Sequence, residues 1–173
     1  MSEVVKCENL TKRYGGLTAL DQVSFTLESG RIIGLLGPNG SGKTTLIKLA
    51  NGLLVPSDGK IYLGGFEPGV ESKSIVSYLP DANYLPTWMN IQGLLEMFED
   101  FYNDFDIEKA KEMVGTLNLS MNSRLKTLSK GNKEKVQLIL AMSRKAKVYF
   151  LDEPIGGVDP AARDFILNTI ITN

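Results

Sequence analysis

The stretch Gly37-Pro38-Asn39-Gly40-Ser41-Gly42-Lys43-Thr44 decides how this sequence is interpreted. It matches the pattern G-x-x-x-x-G-K-[ST], in which glycines let backbone N–H groups approach phosphate oxygens closely. The helix that follows such a loop adds the partial positive charge of its amino terminus. In this pattern Lys43 reaches the β- and γ-phosphates, and the Thr44 hydroxyl binds Mg²⁺. The stretch therefore predicts a phosphate-binding loop.

The residues on either side of the loop have the character that such a loop requires. The segment Arg31–Leu36 is apolar apart from Arg31, which predicts a strand buried on both faces of a parallel sheet. The segment Leu46–Leu53 predicts an apolar helix. The competing interpretation is a glycine-rich turn before an ordinary helix, and the flanking strand and helix argue against it.

A second apolar strand, Lys147–Leu151, ends in Asp152-Glu153-Pro154. The carboxyl end of such a strand is where ligands of open α/β folds bind. Asp152 could hold Mg²⁺ through water, and Glu153 could polarise a water for attack on a γ-phosphate. Alternatively, both carboxylates cap a helix or lie in a solvated loop.

The rest of the chain predicts an α/β fold with an inserted helical lobe. Short apolar runs predict further strands at Val4–Leu10, Val23–Leu27, Lys60–Leu63 and Ile75–Leu79, and the early ones suggest an antiparallel layer. Ile91, Leu94, Leu95, Phe98 and Tyr102 follow a helical period, a second helix contains Met113, Val114 and Leu117, and a third begins near Ser129. Asp159-Pro160 predicts an N-cap and the first position of a last helix. We expect one domain, with a core over about 1–82 and 147–173 and a helical lobe over about 83–146.

The composition excludes several kinds of chemistry. The chain has 173 residues, a net charge of −1, one cysteine and no histidine. Histidine relays and histidine-ligated zinc are therefore excluded, and Cys7 cannot form an internal disulfide. A net charge near zero gives no bulk attraction to nucleic acid, so no nucleic-acid partner is expected. The amino terminus lacks a signal pattern, which favours a cytoplasmic location.

Three further motifs make the sequence resemble the nucleotide-binding domain of ABC transporters. Leu128-Ser129-Lys130-Gly131-Asn132 resembles the signature that distinguishes this family from other P-loop NTPases. Lys147–Pro154 resembles its Walker B strand, and Gly156-Gly157-Val158-Asp159-Pro160 its D-loop. The resemblance covers nearly the whole chain. It implies a P-loop NTPase core with a mixed or parallel sheet, an antiparallel β layer near the amino terminus and an inserted α-helical lobe.

The resemblance also assigns roles to individual residues. It implies that Glu153 is the catalytic base, that Asp152 is the Walker B aspartate and that Tyr14 stacks on adenine. Thr45 completes the Walker A motif. ATP and Mg²⁺ are the implied cofactors. The resemblance further implies a head-to-tail homodimer or heterodimer, in which five residues of one subunit contact the ATP held by the other subunit. These residues are Ser129, Lys130, Gly131, Asn132 and Asp159.

Asp81 and Lys130 depart from the family pattern. Asp81 stands where the family has a glutamine that binds Mg²⁺ and senses the γ-phosphate, and we predict that it is a metal ligand or supports one. Lys130 replaces a glycine of the signature, and either adds a cation near the triphosphate or points to solvent. Together with Ile155–Asp159, these two residues resemble a subset of bacterial exporter ATPases. The family's switch histidine is expected beyond Asn173, so we expect an incomplete domain.

Aromatic residues are concentrated where family members receive their membrane subunit. Phe98 and Tyr102 fit the core of the lobe, whereas Tyr84 and Trp88 are candidates for the rim of a hydrophobic groove. The chain is therefore expected to be an ATPase subunit that lies on the inner face of the cell membrane and drives a separate permease, for export. The alternatives are a module that binds Mg·ATP without efficient turnover, and a soluble ABC ATPase outside transport.

Overall fold

The computed structural model describes residues 2–154 and 160–172, with the side chains of 160–162, 166 and 172 left out. The chain divides into two compact units, Met1–Val76 and Ser77–Asn173.

An antiparallel sheet forms most of the first unit. Its strands are β1 (Glu3–Tyr14), β2 (Leu17–Glu28) and β3 (Asp58–Leu63), in the order β2-β1-β3. Cys7 on β1 faces Phe25 on β2 and Ile61 on β3. Alternate residues of β1, such as Val5 and Cys7, are buried because successive side chains of a strand point to opposite faces. The predicted antiparallel layer near the amino terminus is confirmed.

Two helices complete the first unit. Helix α1 (Lys43–Ala50) follows the phosphate-binding loop, and helix α2 (Val70–Ile75) follows β3. Ile47, Leu49 and Ala50 of α1 are buried, so one face of this helix contributes to the core. The predicted helix over Leu46–Leu53 therefore exists, but it begins three residues earlier and ends at Ala50.

The predicted strand over Arg31–Leu36 is wrong. Residues 31–38 have no regular secondary structure, and Ile32 and Leu36 are 67% and 91% exposed. A central strand requires hydrogen-bonded neighbours on both sides. Among the described residues, neither sheet includes this segment, so its apolar side chains are not covered.

The second unit is mainly helical. Strands β4 (Val76–Leu79) and β5 (Val148–Leu151) form a two-stranded sheet. Between them lie α3 (Ile91–Phe101), α4 (Ile107–Thr116), a 3-10 turn (Leu125–Thr127) and α5 (Lys130–Met142), and α6 (Pro160–Thr172) follows. The inserted helices and the α/β fold class are therefore confirmed. The predicted N-cap of α6, Asp159, lies outside the described residues. Within the described residues, no helix is long and apolar enough to cross a membrane.

Helix α5 is the centre of the core of the second unit. Every residue from Val136 to Met142 is buried. Leu94 and Leu95 of α3 and Val114 of α4 belong to the same buried cluster. The polar side chain of Gln137 is accommodated because it donates to the Ala82 carbonyl at 3.2 Å.

A buried ion pair anchors the carboxyl end of α5. Arg144 is 4% exposed, its Nε lies 2.5 Å from Asp104 Oδ1, and its guanidinium lies 3.8 Å from the centre of the Tyr102 ring. Its carbonyl accepts a hydrogen bond from the Tyr149 hydroxyl on β5. The end of α5 is thus attached both to the segment after α3 and to β5.

Arg144→Met should destabilise the chain by about 3 kcal/mol, because it leaves the Asp104 carboxylate without its cation in a partly buried position. Urea unfolding followed by circular dichroism measures the change. The matched control is Lys111→Met, which breaks an exposed pair with Glu108 and should cost less than about 1 kcal/mol. Equal effects of the two substitutions would contradict the structural role of the buried pair.

Candidate functional site

The phosphate-binding loop is a tight turn that leads directly into α1. The Ser41 N–H donates to the Pro38 carbonyl at 3.2 Å, and Gly40 and Gly42 have φ angles of 83° and 91°. These angles lie in the left-handed region, which favours glycine. The pattern of glycines in the sequence is therefore explained by the path of the backbone.

Gly42 is also required for close packing. A Cβ atom at this position would lie 2.5 Å from the Ala19 carbonyl oxygen and 2.9 Å from Leu20 Cδ2, both on β2. The backbone at the start of α1 therefore lies directly against β2. No larger residue fits there without moving the helix or the strand.

The Lys43 ammonium lies within the curve of the loop. Lys43 Nζ donates to the Gly37 carbonyl at 2.7 Å and to the Pro38 carbonyl at 2.9 Å. Gly42, the N-cap of α1, has no side chain to accept from the first-turn N–H groups, and the first turn contains no acidic residue. The loop thus combines one cation with uncapped N–H donors, which is the donor set that a phosphate group needs.

Tyr14 is placed at the carboxyl end of β1, opposite Leu17. Its side chain is 44% exposed, so part of the ring is accessible. Thr44 is exposed in the first turn of α1, and Thr45 beside it is half-buried. The first unit therefore contains these three residues together with the phosphate-binding loop.

The acidic strand end lies in the second unit. Asp152 is 8% exposed, and its N–H donates to the Leu79 carbonyl at 2.9 Å. Glu153 is exposed and has a φ angle of 54°. A non-glycine residue in this region is strained by about 1–3 kcal/mol, and such strain is common at functional sites. The chain thus turns sharply where the candidate base stands.

Asp81 and Asp152 are two charged groups that both act on the ionisation of Tyr78. Burial raises the pKa of Tyr78, and the carboxylates of Asp152 and Asp81 raise it further. The described residues contain no group of three or more side chains suited to hold a metal alone. Mg²⁺ needs only one or two carboxylates when phosphate oxygens supply the rest of its ligands. Asp81 and Asp152 therefore match the number and kind of protein ligands that this ion takes.

The signature segment forms the amino end of α5. Ser129 is the N-cap, and its hydroxyl accepts from the Asn132 N–H at 3.3 Å. The Lys130 side chain is 90% exposed, and its Nζ lies 3.8 Å from Glu134 Oε1. Gly131 and Asn132 stand in the first turn of the helix, whereas Asp159 lies outside the described residues. Lys130 thus extends into solvent.

An open groove of about 620 Å³ lies beside α3 in the second unit. Trp88, one of its lining residues, is 79% exposed, and Tyr84 is 45% exposed. Phe98 and Tyr102 pack together instead, with ring centres 5.5 Å apart, against the core. The other lining residues are Met89, Asn90, Gly93, Asn122 and Arg124.

Sequence reasoning missed two residues of the site. Lys12 lies over the Tyr14 ring, and the pKa of Tyr78 is raised by burial and by the charges of Asp152 and Asp81. The strand predicted from the sequence ends at Leu10, before Lys12 and Tyr14, so the sequence did not place these two residues on one face of a strand. The position of Tyr78 near Asp152 depends on the pairing of β4 with β5, which the sequence does not specify.

Comparison with known proteins identifies the family. The sequence model described as ABC transporter matches residues 20–156. The chain belongs to this family. It is 34% identical over 170 residues to the uncharacterized ABC transporter ATP-binding protein YdbJ of Bacillus subtilis, covering 94% of this chain and 54% of YdbJ. It therefore spans about half the length of that relative.

Two further matches agree with this assignment. The lipopolysaccharide export system ATP-binding protein LptB of Haemophilus influenzae is 33% identical over 168 residues, covering 91% of this chain and 70% of LptB. A solved ATP-binding subunit of an ABC transporter superposes with a TM-score of 0.89 at 26% identity, covering 98% of this chain and 74% of the other. The family consists of P-loop enzymes that bind and hydrolyse ATP.

Gly42→Ala should destabilise the first unit by more than about 3 kcal/mol, because it combines an unfavourable φ angle with the clash against β2. The matched control is Gly40→Ala, which has a similar φ angle but no atom within 4 Å of the added Cβ, and should cost only about 1 kcal/mol. Urea unfolding of both variants measures the difference. Equal costs would show that the contact with β2 does not constrain the loop.

Proposed function

We propose that this chain is the ATP-binding and ATP-hydrolysing part of an ABC transporter, and that it drives a separate membrane permease for export. The observation that carries this proposal is the position of the Lys43 ammonium within a loop of uncapped N–H groups. If this loop were only a glycine-rich turn that binds no ligand, there would be no functional reason for the Lys43 ammonium to be held on the Gly37 and Pro38 carbonyls.

The first unit would bind the nucleotide. The N–H groups at the start of α1 would donate to phosphate oxygens, and the helix dipole would favour their negative charge. Lys43 Nζ would exchange its bonds to Gly37 and Pro38 for the β- and γ-phosphates. Gly40 would offer a further N–H donor, the Ser41 N–H would exchange its bond to the Pro38 carbonyl for a phosphate oxygen, and Tyr14 would stack on the adenine ring. Positioning and charge therefore supply most of the catalysis.

Asp152 and Asp81 would be the carboxylate ligands of Mg²⁺, and the Thr44 hydroxyl is the ligand that the phosphate-binding motif predicts. The ion, when bound, neutralises charge that develops on the phosphates. Asp152 is suited to this role because it is buried at a strand end, where its position is fixed by the backbone bond to Leu79. Asp81 acts on the ionisation of Tyr78 together with Asp152, and it would contribute a second carboxylate or hold a water ligand.

Glu153 would act as the general base. Its carboxylate is exposed, so it can accept a proton from a water molecule that attacks the γ-phosphate. Residues of a second subunit would complete the site, with the Ser129 hydroxyl and the first turn of α5 facing the triphosphate. Lys130, Gly131, Asn132 and Asp159 would lie at the same contact in this homo- or heterodimer.

The direction of transport is inferred from a relative, and the location is inferred from the groove beside α3. The relative LptB is named as the ATP-binding protein of a lipopolysaccharide export system, which favours export over import. The groove beside α3 is lined by one exposed aromatic residue, Trp88, which is suited to contact a segment of the permease. The chain would therefore work in the cytoplasm, on the inner face of the membrane.

ATP turnover should rise faster than linearly with protein concentration, because each active site needs residues from two subunits. Phosphate release measured over a range of protein concentrations tests this expectation.

Glu153→Gln should lower kcat by about 100-fold or more while ATP still binds. The matched control, Glu112→Gln, removes a carboxylate from the exposed side of α4 and should leave turnover unchanged.

Two outcomes would contradict the proposal in different ways. Binding of Mg·ATP without turnover at any concentration would favour the module that only binds nucleotide. Failure to bind ATP would reject both functions.

Asp81→Ala should raise the Mg²⁺ concentration needed for half-maximal turnover by about tenfold, because a metal ligand or its support is lost. A magnesium titration of phosphate release measures the shift. Asp100→Ala, which removes an exposed carboxylate from α3, is the control and should leave the titration unchanged. An unaltered magnesium dependence in Asp81→Ala would exclude Asp81 from the metal site.

A further inference from the structure

Lys12 covers one face of the Tyr14 ring. The two residues stand two positions apart on β1, so their side chains leave the same face of the sheet. Lys12 Nζ lies 5.1 Å from the centre of the ring, within the range of a cation–π interaction. The same nitrogen donates to the Val55 carbonyl at 2.8 Å. The ammonium is therefore held from two sides.

The segment that holds Lys12 is itself attached to β1. The Ser57 N–H donates to the Thr11 carbonyl at 2.8 Å, and the Arg13 N–H donates to Ser57 Oγ at 3.0 Å. Val55 and Ser57 belong to the loop that follows α1. The first turn of α1 contains Lys43 of the phosphate-binding loop. The cation over Tyr14 is thus part of a connected set of hydrogen bonds, which also fixes the backbone on both sides of Lys12.

We propose that Lys12 is a positioning residue for nucleobase recognition: it occupies one face of Tyr14 and prepares the opposite face to stack on a purine ring. This inference rests on the proposed nucleotide-binding function. Lys12 does not touch the base in this arrangement and acts through the tyrosine.

The physical reason is the charge distribution of aromatic rings. Two stacked rings present negative faces to one another, which opposes direct stacking. A cation on the far side of one ring draws its electron density away from the shared face, so the repulsion falls. It also restricts the rotation of Tyr14, so less side-chain entropy is lost when the base binds. Both effects act on a ligand with a base and neither acts on phosphate alone.

The experiment compares ADP with inorganic pyrophosphate, which has the same two phosphorus atoms without the base. Dissociation constants are measured by calorimetry on the full chain, in the wild type, in Lys12→Met, in Tyr14→Ala and in the double variant. Lys12→Met should weaken ADP binding about threefold to fivefold, as expected for a partly exposed cation–π contact. Pyrophosphate binding should change by less than twofold. In the Tyr14→Ala background, Lys12→Met should have no further effect on ADP.

Two additional variants identify the property of Lys12 that matters. Lys12→Arg keeps the cation and should retain ADP affinity. Lys12→Gln keeps a donor for the Val55 carbonyl but removes the charge, so it should resemble Lys12→Met. The matched control is Lys6→Met, which removes a cation from an exposed ion pair with Glu8 elsewhere on β1 and should leave ADP binding unchanged.

Three results would overturn the inference. Equal weakening of ADP and pyrophosphate would mean that Lys12 acts as a general positive charge. The same loss in the Tyr14→Ala background would mean that it does not act through the ring. Absence of binding of both ligands to the wild type would reject the proposed function itself, and this inference with it.

Discussion

The contact of Gly42 with β2 is the constraint on which the candidate site depends. With 2.5 Å between the position of a Cβ atom and the Ala19 carbonyl oxygen, only glycine lets α1 begin where it does. The first-turn N–H groups of α1 have no side-chain cap, and the carbonyls of Gly37 and Pro38 hold Lys43 Nζ beside them. Backbone packing on an antiparallel sheet therefore brings the uncapped N–H groups of α1 and one lysine into the same loop, a donor set suited to an anion.

Helix α5 plays the corresponding part in the second unit. Its buried segment, Val136–Met142, fills the core, while Ser129 caps its amino end and Arg144 anchors its carboxyl end. The Tyr149 hydroxyl bonds to the Arg144 carbonyl, so the strand that precedes Asp152 is attached to the same anchor. The signature segment and the acidic strand end are thus positioned by one rigid element.

Much of the fold could be predicted, because it depends on local patterns. Helical periodicity located α3 and α5, and the loop motif located the start of α1 to within three residues. The segment Arg31–Leu36 shows the limit of this reasoning. An apolar run indicates the capacity to form a buried strand, whereas a strand exists only when neighbours supply hydrogen bonds. Within the described residues, no strand of either sheet runs beside this segment.

The sequence by itself determined the phosphate-binding loop, the acidic strand end, the signature and the family. These features consist of adjacent residues whose chemistry follows from their order. Only the tertiary structure decided that Lys12 bonds to Val55, that the Asp152 N–H donates to the Leu79 carbonyl, and that Arg144 is buried against Asp104. The reason is physical: these interactions depend on strand pairing and core packing, which bring together residues far apart in the chain.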